Sequence, residues 1–192
     1  MKTVVLQSSS VKNIKLKIEN AIRADFKPTI AIVFSSIEHD LSELCNLHDN
    51  SIKIFGATTA GEIANDEVYE SSIVVMLLDI KDDYFKILLK ETNEQDVGEI
   101  SKEAAIFAKK QFQNPGMLVM ASGLETDGEA IVDAIMEETG KDIPLFGGLA
   151  ADNLKVQDTW VFTNNKVSKK AIIFLIIDNS KIEITGLATS GW

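Results

Sequence analysis

The sequence predicts an α/β protein in which a mixed β-sheet, or more than one, is flanked by helices. Runs of apolar and β-branched residues such as TIAIVFSS and MLVMAS have the composition of strands, and they alternate with segments whose apolar residues recur at helical spacing. Strands separated by helices favour parallel pairing, because parallel neighbours need a crossover connection. Strands joined by short polar links add antiparallel pairs, which makes the predicted sheet mixed.

The first half of the chain is predicted to hold a series of strands and two helices. The strands are expected at 3–6, 29–36, 51–55, 71–79 and 84–90, and the helices at 11–22 and 38–48. Ser10 has the residue type of an N-cap for the first helix, and Pro28 ends that segment. The short polar link IKDD (80–83) between the last two strands indicates a β-hairpin.

The second half is predicted to add two longer helices and further strands. Asp96 and Glu99 have the spacing of a capping box at the start of one helix, which ends before the NPG string at 114–116. Gly140 stands where a C-cap glycine belongs, after a helix at 129–139. Strands are expected at 117–122, 143–148, 158–162, 170–178 and 181–188, with a turn at Asn164–Asn165.

Two similar strings suggest an internal repeat. IKIFGATTAGE (52–62) resembles IPLFGGLAADN (143–153), and each is preceded by a strand and a helix and followed by an apolar strand that ends in Asp. We therefore expect one domain over 1–192 in which 28–96 and 116–188 are two copies of a strand–helix–strand–loop–hairpin unit. Chance similarity between short apolar strings is the alternative explanation.

The net charge of −10 argues against two classes of partner. Lys and Arg form no block longer than Lys169–Lys170, whereas nucleic acids and anionic membranes attract clustered basic residues. The single Cys45 fits a reducing compartment, the N-terminus lacks a secretory apolar core, and the apolar run 171–177 is too short to cross a bilayer. We expect a cytoplasmic protein without nucleic-acid or direct membrane contact. Trp192 follows a strand-like stretch, so it either packs back on the domain or belongs to a first half whose natural chain continues.

Three segments rich in glycine, hydroxyl and acidic residues follow short strands, at 56–66, 122–128 and 147–153. Ligands of α/β proteins settle beyond the carboxyl ends of parallel strands, and glycine lets a ligand approach the main chain closely. Hydroxyl and main-chain N–H groups suit a carboxylate and an acidic side chain suits an ammonium group, so the mixture predicts a zwitterion site. The candidate hydroxyl and acidic residues are Thr58, Thr59, Ser122, Glu62, Asp127 and Asp152.

These features also have a purely structural interpretation. Turns use the same residue types, Thr126 with Glu129 has capping-box spacing, and Asp127 favours a helix N-terminus. Trp160, which follows the third segment, either walls a pocket over the aliphatic part of a ligand or belongs to a strand core. The residues alone leave both interpretations open.

The sequence contains no recognisable motif for catalysis or for a nucleotide cofactor. GATTAGE (56–62) lacks the Lys-Ser/Thr pair of a P-loop, and GGLAAD (147–152) is not GxGxxG. We therefore expect no catalytic residue and no cofactor. The alternative is a small-molecule hydrolase or transferase in which Thr58 or Thr59 acts with Glu62 or Asp127.

His39, Cys45 and His48 lie on one short predicted helix. Cys45 and His48 are three residues apart and could share a face, but two ligands do not make a zinc site. Free cysteine is usually a small buried hydrophobe, and Cys45 is in register with Leu41. We expect no metal site.

Several strings occur in a familiar order: FGATTAGEI, MLVMASGLETDGEAIVDAI, IPLFGGLAADN followed by TWVF, and SGW at the end. Together they resemble the N-terminal part of the FIST sensory family over nearly the whole chain. The resemblance implies a cytoplasmic ligand-sensing module of bacterial and archaeal signal transduction that binds small molecules such as amino acids. It also implies output through histidine kinases, cyclic-dinucleotide enzymes or chemoreceptor modules.

The resemblance marks residues in all three segments, namely Thr58, Thr59, Gly61, Glu62, Gly123, Asp127, Gly128, Glu129, Gly147, Gly148, Ala150 and Asp152. Ala151 departs from the family, which often has Gly at that position, so the main chain there has less freedom. Such proteins usually continue into a C-terminal FIST half. A third possible function is therefore an assembly module that such a half completes.

Overall fold

The last long strand shows how the sheets of this protein are buried. In the computed structural model, β12 (Ala171–Asp178) is buried along almost its whole length. Its alternate residues Ile172, Phe174 and Ile176 contribute to one apolar core. The intervening Ile173, Leu175 and Ile177 contribute to another. Because successive side chains of a strand point to opposite faces, this strand belongs to a sheet that is covered on both sides.

The structure describes residues 1–23, 26–49, 51–92, 95–124, 126–140, 142–153, 155 and 157–186. The end of the strand predicted at 181–188, together with Trp192 and the SGW string, lies outside these residues. Within them, 181–186 do not form a strand. The Ile184 N–H instead donates to the Asn179 side-chain oxygen at 2.8 Å, so this segment turns back rather than extending a sheet.

The first sheet has six strands. In spatial order they are β1 (Thr3–Ser8), β6 (Ile73–Leu78), β2 (Ile30–Ser35), β3 (Lys53–Thr58), β10 (Val161–Phe162) and β11 (Val167–Ser168). β2 and β3 are parallel, and the other neighbours are antiparallel. The strand predicted at 158–162 is β10, which begins only at Val161.

The second sheet has four strands, in the order β7 (Phe85–Glu91), β12, β8 (Pro115–Ala121) and β9 (Leu145–Leu149). β8 and β9 are parallel, whereas β12 runs antiparallel to both β7 and β8. A separate two-stranded sheet pairs β4 (Glu62–Ala64) with β5 (Glu67–Tyr69). The prediction of a mixed-sheet α/β protein is confirmed.

Helices cover the outer face of each large sheet. α1 (Val11–Arg23) and α2 (Leu41–Leu44) pack on the first sheet. α3 (Val97–Gln111) and α4 (Gly128–Thr139) pack on the second. The caps follow the predicted chemistry, because the Asp96 side chain accepts from the first N–H groups of α3 and Gly140 ends α4 with a φ of 87°.

The inner faces of the two sheets pack against each other. This third core includes Ile30 and Phe55 from the first sheet and Met120 and Ile173 from the second. The molecule is therefore layered as helices, sheet, sheet and helices. Any gap between the two sheets is bounded by strands from both halves of the chain.

The two sheets share one strand order. The series β1-β6-β2-β3 corresponds to β7-β12-β8-β9, and in each series two helices follow the first and second strands along the chain. These units span 3–78 and 85–178, so their bounds differ from the repeats predicted at 28–96 and 116–188. Duplication of the sequence itself stays a prediction.

Two local predictions are wrong. The strands around IKDD do not form a hairpin, because β6 lies in the first sheet and β7 in the second. A 3₁₀ turn at Asp82–Tyr84 carries the chain from one sheet to the other. The helix predicted at 38–48 is only α2, because the Asp40 side chain caps it at the start and the Asn46 N–H donates to the Glu43 carbonyl oxygen at 3.3 Å, a tighter turn that ends it.

Candidate functional site

A cavity of about 430 Å³ lies between the two sheets, beside the carboxyl end of β3 and along β9. Thr58 and Thr59 line it from the first sheet, and Gly147 and Gly148 line it from the second. The structure therefore brings together parts of the first and third predicted segments. The volume falls in the range of roughly 300–1,000 Å³ that is typical of small-molecule sites.

The remaining walls of this inter-sheet cavity are apolar. Ile32, Phe34 and Met76 contribute from β2 and β6, and Leu118 and Met120 contribute from β8. These side chains lie on the inner faces of their strands, where the common core of the two sheets ends, and Phe34 is 36% exposed. Their residue types carry no signal of a site in the sequence, because inner-face residues of a strand are normally core.

Three glycines of the first and third segments lie in strands, whereas Gly61 lies in the turn before β4. Gly56 belongs to β3, and Gly147 and Gly148 belong to β9. A Cβ on Gly56 would lie 2.3 Å from the ring of Phe162. A Cβ on Gly147 would lie 2.0 Å from the carbonyl oxygen of Val119. The prediction of loops at 56–58 and 147–149 is wrong, because these glycines allow close packing within the sheets.

The hydroxyl of Thr58 is used inside the protein. It accepts the Trp160 N–H at 3.0 Å and lies 3.5 Å from the Trp160 carbonyl oxygen, while its side chain is fully buried. The Thr58 carbonyl oxygen accepts the Ala151 N–H at 2.9 Å. Thr58 thus links β3 to the residues before β10 and after β9, so it positions one wall of the cavity.

Thr59 and Glu62 form a second internal cluster. The Thr59 hydroxyl donates to Glu62 Oε1 at 2.7 Å. Glu62 Oε2 accepts both the N–H of Ser72 at 3.1 Å and its hydroxyl at 2.9 Å. Glu62 is only 1% exposed, and Gly61 lies in the turn that leads into β4. This carboxylate anchors the small β4–β5 sheet to the start of β6.

The second predicted segment lines a different cavity of about 470 Å³, together with Asp158 and Lys169. The hydroxyl of Ser122 donates to the Ala171 carbonyl oxygen at 3.1 Å and accepts the Ala171 N–H at 2.9 Å. Gly123 has a φ of 102°, and its N–H donates to the Thr159 hydroxyl at 2.8 Å. These two predicted residues are therefore separated from those of the inter-sheet cavity.

Asp127 is the N-cap of α4. Its carboxylate accepts the N–H groups of Glu129 at 3.0 Å and Ala130 at 3.1 Å, and Gly128 is the first helical residue. The capping box predicted for Thr126 is wrong, because the Thr126 hydroxyl donates to the Ser122 carbonyl oxygen at 2.6 Å. The structural interpretation of Asp127 is thus the one that the geometry supports.

The other residues of the third segment also serve the framework. The Asp152 carboxylate is buried and accepts the N–H groups of Gln157 at 2.7 Å and Asp158 at 3.2 Å. Trp160 is half-buried, and the Lys169 Nζ lies 5.8 Å from the centre of its ring. Neither side chain belongs to the lining of the inter-sheet cavity.

Among the described residues, no cluster of three or more His, Cys, Asp or Glu side chains could hold a metal ion. Cys45 is buried, and it follows α2 rather than lying on a longer helix with His48. Burial, with a smaller contribution from the charge of Asp40, raises the pKa of the Cys45 thiol from 9.0 to about 11. The thiol is therefore protonated at neutral pH, when it is a poor nucleophile and a poor metal ligand.

We expect iodoacetamide to alkylate Cys45 slowly in the folded protein. With a pKa of about 11 the thiolate fraction is about a hundredfold lower than with the ordinary 9.0, and burial restricts access further. Mass spectrometry of samples quenched at successive times, at pH 8 with and without urea, measures the two rates. Equal rates would contradict this environment for Cys45.

Comparison with known proteins identifies the family of the chain. No curated protein matches it. Among the described residues, no helix has the length and apolar character needed to cross a membrane. The sequence model of the FIST N domain matches residues 29–192, which is most of the chain and includes both segments that line the inter-sheet cavity. The chain therefore belongs to the FIST N domain family, a family of sensory, ligand-binding domains of signalling proteins.

Proposed function

We propose that this domain senses a small molecule, with amino acids as the leading class, in the inter-sheet cavity. The observation that carries the proposal is the cavity itself, which joins Thr58 and Thr59 of one sheet to Gly147 and Gly148 of the other. We propose a cytoplasmic setting and an attached output module such as a histidine kinase, a cyclic-dinucleotide enzyme or a chemoreceptor. Family membership supports the sensory role, and the cavity supports the location.

A ligand in this position would contact both sheets at once. A ligand shifts a conformational equilibrium only by its differential affinity for the two states. Here the Thr58 carbonyl oxygen already accepts the Ala151 N–H. One hydrogen bond therefore couples the end of β3 to the segment that follows β9. Occupancy would bias how the two sheets pack at this end, and that bias is the signal we propose.

The alternative of a hydrolase or transferase is supported less well by the site. A nucleophile needs a base within hydrogen-bond reach and room for a substrate beside both groups. The Thr59 hydroxyl donates to Glu62 at 2.7 Å, which is such a spacing, but Glu62 is 1% exposed and its other oxygen accepts from Ser72. The Thr58 hydroxyl is buried and bonds the main chain of Trp160. Asp127 is occupied as the cap of α4. These four candidates therefore hold the fold together.

A C-terminal FIST half remains the protein partner we propose. β9 is the last strand in the order of the second sheet, and its Leu149 side chain is 53% exposed. An edge strand with an exposed apolar residue favours association with another module. Such a partner would lie beside the inter-sheet cavity and is thus well placed to receive the signal.

Amino acids are expected to raise the thermal stability of the full chain, and Gly148→Leu is expected to abolish that effect. A ligand at 100 times its dissociation constant adds about 2.7 kcal/mol to the free energy of unfolding. Gly148 pairs with Met120, an inner-face residue, and a Cβ there meets no atom within 4 Å. A leucine at 148 would therefore enter the cavity with no clash at its Cβ, and its larger side chain would occupy the space of a ligand.

Gly148→Ala is the matched control, because one methyl group leaves most of the cavity open. Differential scanning fluorimetry with each of the common amino acids gives the shift for both variants and for the unmodified chain. No stabilisation by any amino acid would contradict the amino-acid proposal. Stabilisation that survives Gly148→Leu would place the site elsewhere.

A further inference from the structure

The side chains of the inter-sheet cavity are chemically uniform. Among the described residues that line it, none carries a charge. Its floor and walls are formed by Ile32, Phe34, Met76, Leu118 and Met120. Burying an unpaired charge or a polar side chain against such a surface is costly, whereas burying a methylene group is favourable.

Among the described residues of this lining, the two hydroxyls already have partners inside the protein. Thr58 Oγ1 accepts from the main chain of Trp160, and Thr59 Oγ1 donates to Glu62. Thr58 is fully buried and the Thr59 proton is engaged, so the side chains offer a ligand one hydroxyl acceptor and no free hydroxyl donor. The body of the ligand is therefore matched mainly by apolar contact.

Hydrogen-bonding capacity is present at the mouth of the cavity, on the main chain of β9. In the parallel ladder with β8, the Met117 N–H donates to the Pro144 carbonyl oxygen at 2.8 Å. At the other end the Ala150 N–H donates to the Ala121 carbonyl oxygen at 2.8 Å. Alternate residues of a strand bond to the same neighbouring strand. The bonds to β8 between these two ends are therefore made by Phe146 and Gly148.

The same alternation directs the N–H and carbonyl groups of Gly147 and Leu149 away from β8. β9 is the outermost strand of its sheet among the described residues, and both residues are exposed and line the cavity. Neither position carries a charged side chain. The edge of β9 therefore offers donors and acceptors for one polar end of a ligand.

We infer that the cavity selects amphipathic ligands: an aliphatic or aromatic body, held between the sheets, with one carboxylate or amino-acid end at the edge of β9. Among amino acids this class comprises norleucine, leucine, methionine and phenylalanine, and it excludes serine, asparagine and aspartate. The inference rests on the proposed function, because it names the ligand class of the same cavity.

The test is a series of ligands with one head group. Isothermal titration of the full chain with 2-aminobutyrate, norvaline and norleucine is expected to give an affinity that rises about fourfold with each methylene group. Serine and asparagine are expected to bind at least tenfold more weakly than norleucine. Hexanoate and phenylacetate test whether the amino group is needed.

A wall variant tests whether the selectivity arises in this cavity. Met76→Gln keeps the length of the side chain but adds a polar end, so we expect about a tenfold loss of affinity for norleucine and no loss for asparagine. Gly148→Leu should remove binding of every member of the series. Thermal unfolding of each variant without ligand confirms that it is folded.

The outcomes separate this inference from the proposed function. Polar amino acids that bind as tightly as norleucine, and that lose binding in Gly148→Leu, would overturn the ligand class and leave the sensory site in place. Binding of hexanoate without any amino acid would support the class and overturn the amino-acid proposal. If neither the amino acids nor hexanoate and phenylacetate bind, both the ligand class and the proposed function are overturned.

Discussion

Replacing Gly147 with alanine is expected to lower the free energy of unfolding by about 3 kcal/mol. A Cβ at this position would lie 2.0 Å from the carbonyl oxygen and 2.9 Å from the carbonyl carbon of Val119. Both atoms belong to the main chain of β8, so no rotation of a side chain relieves the contact. β9 would have to move away from β8, which weakens their ladder and distorts the inter-sheet cavity.

The neighbouring Gly148→Ala is the control for this experiment, because its Cβ would meet nothing within 4 Å. We expect it to change stability by less than about 0.5 kcal/mol, since the added methyl group meets no neighbouring atom. Urea denaturation followed by circular dichroism gives both values. Equal stability of the two variants would mean that β8 and β9 are not in the close register described.

The elements of this fold were largely predictable from the sequence, whereas their pairing was not. Local periodicity identified β2, β8, β12, α3 and α4, and local chemistry identified the caps at Asp96 and Gly140. The hairpin expected around IKDD failed, because a short link between two strands does not determine which sheet each strand joins. That choice depends on contacts with β2 and β12, which are distant in sequence.

The same limit applies to the candidate site. Thr58 is a candidate ligand hydroxyl by its residue type, but its partner, the main chain of Trp160, is about a hundred residues away in the sequence. A glycine-rich string favours a loop, although Gly56 and Gly147 lie where strands approach closely. The residues of the cavity walls, such as Phe34, could not be predicted from the sequence. An inner-face residue becomes part of a site only where the opposite sheet ends.

The polar residues of the first segment and the apolar walls thus have different roles. The hydroxyls of Thr58 and Thr59 and the carboxylate of Glu62 fix the end of β3, and the fixed strand end then frames an apolar space. Loss of the framework should therefore reduce stability first and ligand binding as a consequence. Glu62 is the residue for which this order is most readily measured.

Glu62→Ala is expected to lower the free energy of unfolding by about 3 kcal/mol. The Glu62 carboxylate is 1% exposed and accepts hydrogen bonds from the Thr59 hydroxyl and from the N–H and hydroxyl of Ser72. Removing it leaves the buried N–H of Ser72 without its acceptor and opens a small void. The β4–β5 sheet should then detach from β6, which hydrogen exchange of its amides would detect.

Glu62→Gln separates the effect of shape from that of charge. The amide oxygen can still accept from Ser72, but the NH₂ group cannot accept from the Thr59 hydroxyl, which must turn and accept instead, so we expect a loss of about 1–2 kcal/mol, intermediate between the native chain and Glu62→Ala. Glu67→Gln is the matched control on the same small sheet, where the side chain is exposed and accepts from the Tyr69 hydroxyl. If Glu62→Ala were as stable as that control, the Glu62 carboxylate would not anchor the β4–β5 sheet.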